Sequence, residues 1–124
     1  MKIDKYEMYY NLMERWLTIH EEGRTIPQVL ETMGFSTIAV YGLGKIGKHV
    51  IYEMKGSNVN VQYAIDRVRS GKYDSVIVKN VDEPLPEVDA VIVTTIYDFE
   101  EVEEMLVKKV HYPIISLEEI LYEG

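Results

Sequence analysis

Three glycines stand between an apolar run and a run with helical spacing in "STIAVYGLGKIGKHVIYEM", residues 36–54: Gly42, Gly44 and Gly47. Gly-x-Gly-x-x-Gly, after a strand and at the opening of a helix, supports a chemistry of backbone amides. The first glycine makes a tight turn, the second lets a pyrophosphate approach a main chain that carries no Cβ, and the third lets the helix pack closely on the sheet. The helix start adds N–H groups with no intrahelical acceptor and a partial positive charge. Leu43, Lys45 and Ile46 supply the intervening amides, so residues 42–47 are the expected anion cradle. Gly42 to Lys48 also fits Gly-x-x-x-x-Gly-Lys, but His49 occupies the place of the hydroxyl residue that would hold magnesium. That second spacing is set aside.

An acid at the end of the next strand would complete such a site. Asp66 closes "QYAID" at about the right interval, where a carboxylate accepts ribose hydroxyls and favours NAD(H) or another ribose diol over a 2′-phosphate. Arg67 beside it pulls the other way, toward a 2′-phosphate or a stacked base, and a solvated Asp-Arg pair in a turn is the bland alternative. Thr94 and Thr95 close "VIVTT" and are expected at the carboxyl edge of the sheet, either touching a ligand's phosphates or sugar or capping the next helix.

Catalytic groups are harder to find. Tyr41 and Lys45 have the letters of Tyr-x-x-x-Lys but span the glycine loop itself, and Tyr52 and Lys55 are three apart instead of four. His20, His49 and His111 fall in separate segments without metal-ligand spacing, and there is no cysteine, which excludes thiolate zinc, disulfides and cysteine nucleophiles. The isolated chain therefore reads as a binder more than an enzyme, and no metal is expected.

The elements that must position these residues follow from periodicity. Asp4 to His20 reads as a helix with Asp4 as cap and Gly23 as stop, and "TIPQVLETMG" as a second, with Thr25 and Gln28 in a capping box. "TIAVY", "VNVQYAID", "DSVIV", "DAVIVTT" and "PIIS" read as five strands. Helices are expected over "KIGKHVIYEMKG", over "DFEEVEEMLVKKV" capped by Asp98 with Glu101 three residues on, and over "LEEILYE" after Ser116. Short β-branched strands between helices predict an α/β fold. The specific expectation is a doubly wound, five-stranded parallel sheet in the order 3-2-1-4-5, with two extra N-terminal helices. Residues 1–35 are read as a helical extension and 36–124 as the nucleotide-binding domain.

At 124 residues the chain has room for one domain with a core of its own. A formal charge of −8 disfavours non-specific binding to nucleic acid or an anionic membrane. A local cradle of amides still admits an anionic cofactor. The N-terminus lacks the apolar core of a leader, and no run approaches the roughly 20 apolar residues of a membrane span. A cytoplasmic location is expected.

The loop, "VQYAIDR", "PEVDAVIVTTIYDFEEVEEML" and "HYPIISLEEIL" together resemble the small Rossmann domains of bacterial enzymes that act on nucleotide sugars in surface-polysaccharide biosynthesis. These are the N-terminal domains of sugar acyltransferases and the leading domain of membrane-linked nucleotide-sugar dehydratases. A weaker likeness is to NAD-sensing domains of potassium-transport regulators. The resemblance implies that Gly42, Gly44 and Gly47 face a diphosphate and Asp66 the nucleoside end of an NAD or UDP-type ligand. The polysaccharide enzymes carry a second module, an acyltransferase repeat or a dehydratase domain, to which nothing here corresponds. Two partners are therefore open, a second copy of the chain or an attached catalytic domain, with the tyrosine- and methionine-rich "YEMYYNLMERW" as an interface or as core packing. Three functions remain open: a non-catalytic binding module, an NAD-dependent oxidoreductase or nucleotide-sugar enzyme completed by oligomerisation, and a structural domain with a vestigial loop.

Overall fold

The computed structural model describes residues 4–123. Two helices come first, α1 (Lys5–Glu21) and α2 (Ile26–Thr32). Strand β1 (Thr37–Tyr41) leads through the glycine loop into α3 (Lys45–Met54), followed by β2 (Asn60–Ile65), β3 (Gly71–Tyr73), β4 (Val76–Lys79) and β5 (Ala90–Val93). A 3-10 turn (Ile96–Asp98) opens α4 (Phe99–Leu106), and β6 (Ile114–Ser116) and α5 (Leu117–Glu123) end the described chain.

The architecture is α/β, with a mostly parallel sheet. It has six strands in the order β3-β4-β2-β1-β5-β6, where five all-parallel strands were expected, and β3 pairs antiparallel with β4 at one edge. The extra strand belongs to a two-residue hairpin whose central residues, Asp74 and Ser75, both have positive φ (50° and 71°). Two left-handed residues give the twist that favours hairpin closure. Asp-Ser is a weak sequence signal for that turn, and a three-residue strand shows no periodicity. The hairpin is fastened to α3 by Lys55 Nζ on Asp74 Oδ2 (2.5 Å) and by Lys48 over the Tyr73 ring.

Strands β1 and β5 are buried along nearly their whole length, as befits parallel strands covered on both faces. One face packs α1, α2, α3 and α5 in a single core that joins Leu12, Ile19 and Leu30 to Ile38, Val50 and Leu117. The two N-terminal helices thus share the sheet's own core. On the other face α4, through Val102 and Leu106, is the sole helix among the described residues, and the segment 80–89 helps cover the rest with Leu85 and Val88. That segment is held by the Tyr63 hydroxyl, which donates to the Pro86 carbonyl (2.7 Å). Burial above all, with the bond to Tyr112, pushes the Tyr63 phenol far above its ordinary range, so it stays a protonated donor.

Local signals explain the element ends. Asp4 Oδ1 accepts from Tyr6 N–H (2.7 Å) at the start of α1, and Gly23 (φ +81°) ends it, with Arg24 N–H donating back to the Ile19 carbonyl. Thr25 and Gln28 exchange both bonds of a capping box. Asp98 stands at the start of α4, but its side chain makes no capping bond, because the 3-10 turn has already set the helix entry. At the amino end of β1, Asp89 Oδ2 accepts from Ser36 N–H (2.7 Å), Ser36 Oγ (3.1 Å) and Thr37 N–H (3.0 Å).

Candidate functional site

Strand order reverses beside β1: α3 leads the chain to β2 on one side, while β5 lies on the other. Crevices at such points, outside the carboxyl ends of the strands, are where ligands bind open α/β sheets. The glycine loop, Asp66 and the β5 end all meet there.

Each loop glycine occupies a different environment. Gly42 has φ +93°, and a Cβ on it would fall 2.6 Å from Thr94 Oγ1. A Cβ on Gly47 would fall 1.9 Å from the Gly42 carbonyl oxygen, so α3 presses against the loop with no room for a methyl group. Gly44 is the opposite case: it faces open space, with nothing within 4 Å of where a Cβ would stand. It is the N-cap of α3 and supplies no side-chain cap. Lys48 N–H bonds to the Gly44 carbonyl (3.0 Å), leaving the amides of Lys45, Ile46 and Gly47 as the helix start's orphan donors. The Lys45 side chain is exposed, Ile46 packs against the core, and the Leu43 side chain is buried.

Asp66 organises the loop. Its Oδ2 accepts from Leu43 N–H (2.9 Å), and its Oδ1 accepts from Val68 N–H (2.9 Å) and Arg69 N–H (3.1 Å). Burial pushes the carboxyl's pKa up, but the three backbone donors together with the Arg69 charge outweigh it and hold Asp66 below its ordinary value. A carboxylate offers about four acceptor positions. With three of them engaged, Asp66 has capacity for one more donor, where two ribose hydroxyls were expected to bind. Arg67, largely exposed, donates from Nε to the Tyr41 hydroxyl (3.0 Å).

The two threonines separate. Thr94 is buried, and its hydroxyl reaches the carbonyls of Tyr41 and Gly42, both at 2.9 Å, fixing the turn from beneath. Thr95 lines the crevice, and its Oγ1 is buried with no hydrogen-bond partner among the described residues. A buried hydroxyl without a partner carries an unmet polar demand that a ligand can satisfy.

The crevice is a cavity of about 210 Å³ walled by Tyr41, Gly42, Asp66, Arg67, Thr95, Asp98, Glu101 and Val102. Gly44 to Gly47 are not among its walls. Drug-sized ligands occupy roughly 300–1,000 Å³, so a nucleotide with one end in this cavity would extend over the loop. The sequence marks none of Tyr41, Asp98, Glu101 and Val102 as wall residues. From sequence Asp98 and Glu101 read as a helix cap, and their three-residue spacing at the start of α4 is the available clue.

The described residues contain no group of three or more acids or histidines arranged to hold a metal ion. No described helix is long and apolar enough to cross a membrane. Compared with known proteins, the chain matches no family model and no curated protein significantly.

Proposed function

We propose that this chain is a nucleotide-binding module of Rossmann-like, doubly wound design that holds the diphosphate of NAD(H) or of a nucleotide sugar on the amides of Gly44 to Gly47, without turnover by the isolated chain. The observation that carries this reading is the uncapped start of α3 beneath Gly44, where donors and open approach coincide. A helix N-terminus with a bare glycine is suited to an anion, and the order of strands around β1 supports a ligand at that edge.

The chemistry of the cavity refines the ligand. Asp66, Asp98 and Glu101 face it with Arg67 as the one cationic wall residue. Carboxylates accept hydroxyl donors and repel phosphate, so the nucleoside or sugar end is expected to enter the cavity with free hydroxyls, which favours NAD(H) over NADP(H). A setting in surface-polysaccharide biosynthesis rests on the sequence resemblance alone.

A second reading has its own support. The cavity is small and three of its four charged walls are acidic, and this favours a structural domain whose loop keeps the turn geometry and binds nothing. Thermal melting with NAD, NADP, UDP-sugars and coenzyme A separates the two. A ligand at about 100 times its dissociation constant adds some 2.7 kcal/mol of stability, or a rise of several degrees for a domain of this size. A rise with NAD or a UDP-sugar, smaller with NADP, supports the module. No rise with any nucleotide leaves the structural reading standing.

A further inference from the structure

We propose that the crevice selects the oxidised dinucleotide, NAD⁺, over NADH, with the positively charged nicotinamide ring held on the β5 side among Asp98, Glu101 and the acids next to them. This inference rests on the nucleotide-module reading and narrows its ligand.

The strand order decides which end of a dinucleotide lies where. Strands β2 and β5 flank β1 on opposite sides. Asp66 and Arg67 follow β2, while Thr95, Asp98 and Glu101 follow β5. Dinucleotides cross such a sheet where the strand order reverses. With the diphosphate at the start of α3 and the adenosine ribose at Asp66, the nicotinamide riboside lies on the β5 side. There Thr95 Oγ1 is buried without a partner among the described residues. A polar group of that nucleoside answers its unmet demand.

Charge divides along the same line. On the β2 side Arg67 stands beside Asp66, its Nε donating to the Tyr41 hydroxyl (3.0 Å). On the β5 side the crevice is walled by Asp98 and Glu101, with no lysine or arginine. These two acids also border a larger groove of about 790 Å³, to which Glu100, Glu118 and Glu119 add their carboxylates. None of the five forms an ion pair among the described residues. Two cations approach the groove's rings, Lys5 over Tyr97 (5.9 Å to the centroid) and Arg15 over Tyr122 (5.4 Å). Even with both counted, acids outnumber cations five to two. Acid and aromatic walls suit a flat cation and disfavour a further phosphate.

The nicotinamide ring isolates that charge. It is a pyridinium cation in NAD⁺ and neutral in NADH, while the adenine, riboses and diphosphate are the same in both. The difference in affinity therefore reports the field around the ring. A neutral sugar in its place gains nothing from that field. Asp98 and Glu101 are exposed, and an exposed ion pair contributes little. The two together are expected to favour NAD⁺ by about fivefold.

Isothermal titration calorimetry of the full chain with NAD⁺, NADH and a UDP-sugar, at about 10 mM ionic strength where exposed charges are least screened, tests this. NAD⁺ is expected to bind about fivefold more tightly than NADH, and the ratio should fall toward one at high salt. It should also fall toward one in Asp98→Asn/Glu101→Gln. Asp98 makes no capping bond, so this variant is expected to fold, which circular dichroism checks. Equal affinities at low salt, tighter NADH, a ratio that persists in the double variant, or binding of the UDP-sugar alone would overturn this proposal and leave the module reading standing. Binding of none of the three would overturn both.

Discussion

The two ends of β1 use the same chemistry to different effect. At the amino end, Asp89 takes the Ser36 and Thr37 amides and the Ser36 hydroxyl. Near the carboxyl end, Asp66 takes the Leu43 amide and two amides of its own turn, and it stops there. The next donors, at the start of α3, meet no side-chain cap. Both carboxylates are held below their ordinary pKa by backbone donors. The difference lies in what remains. A carboxylate that takes up the nearby donors closes a fold, whereas one that fixes a turn and leaves its neighbours bare prepares a site.

The comparison is broken most severely at the packing between loop and helix. Gly47→Ala places a methyl group against the Gly42 carbonyl. Overpacking against backbone is expected to cost about 3 kcal/mol, lowering the melting temperature by roughly 10 °C. Differential scanning calorimetry checks this, and an unchanged melting point would mean that the helix does not press on the loop.

Asp66→Ala comes next. It leaves three N–H groups without their acceptor, Leu43 among them, and is expected to cost about 1–3 kcal/mol by chemical denaturation. It should also weaken NAD more than NADP; equal losses would remove Asp66 from ribose recognition.

Acid titration sharpens the contrast between the two aspartates. In both, the folded-state pKa lies below the unfolded value, so the folded chain binds fewer protons. Their contribution to stability is full above about pH 5 and is lost as pH falls through the lowered folded values. Asp89→Asn and Asp66→Asn should each flatten the acid limb of the stability curve, measured by urea unfolding between about pH 2 and pH 6. Only Asp66→Asn should also alter ligand affinity. If Asp89→Asn changed affinity equally, the two ends of β1 would not be functionally distinct.

Gly44→Val is expected to have the smallest effect on stability. Its side chain would enter open space, and the backbone φ of −83° suits an ordinary residue. Melting should shift by no more than about 1 kcal/mol equivalent, while nucleotide binding falls more than about tenfold.

The parts of this arrangement legible in the sequence are those set by local chemistry. The loop glycines, Asp66 at the end of β2 and the Thr25–Gln28 box follow from spacing within a few residues. Strand β4 is legible in "DSVIV", but β3 and the hairpin turn are hidden because Asp74 and Ser75 adopt left-handed conformations that those residue types signal only weakly. Thr94 and Thr95 could not be told apart from sequence, since one residue of strand register decides which hydroxyl lies beneath the turn and which lines the crevice. Asp98 and Glu101 had the spacing of a cap, and the 3-10 turn that turns them into cavity walls depends on long-range packing.

The most direct test of the central claim is an amide-resolved ¹⁵N–¹H NMR titration of the whole chain with NAD and, separately, a UDP-sugar. The largest shifts are expected at the amides of Gly44, Lys45, Ile46 and Gly47, with smaller ones at Asp66 and Thr95, and the loop shifts should vanish in Gly44→Val. Shifts confined to other parts of the chain, or loop shifts that persist in Gly44→Val, would contradict the account.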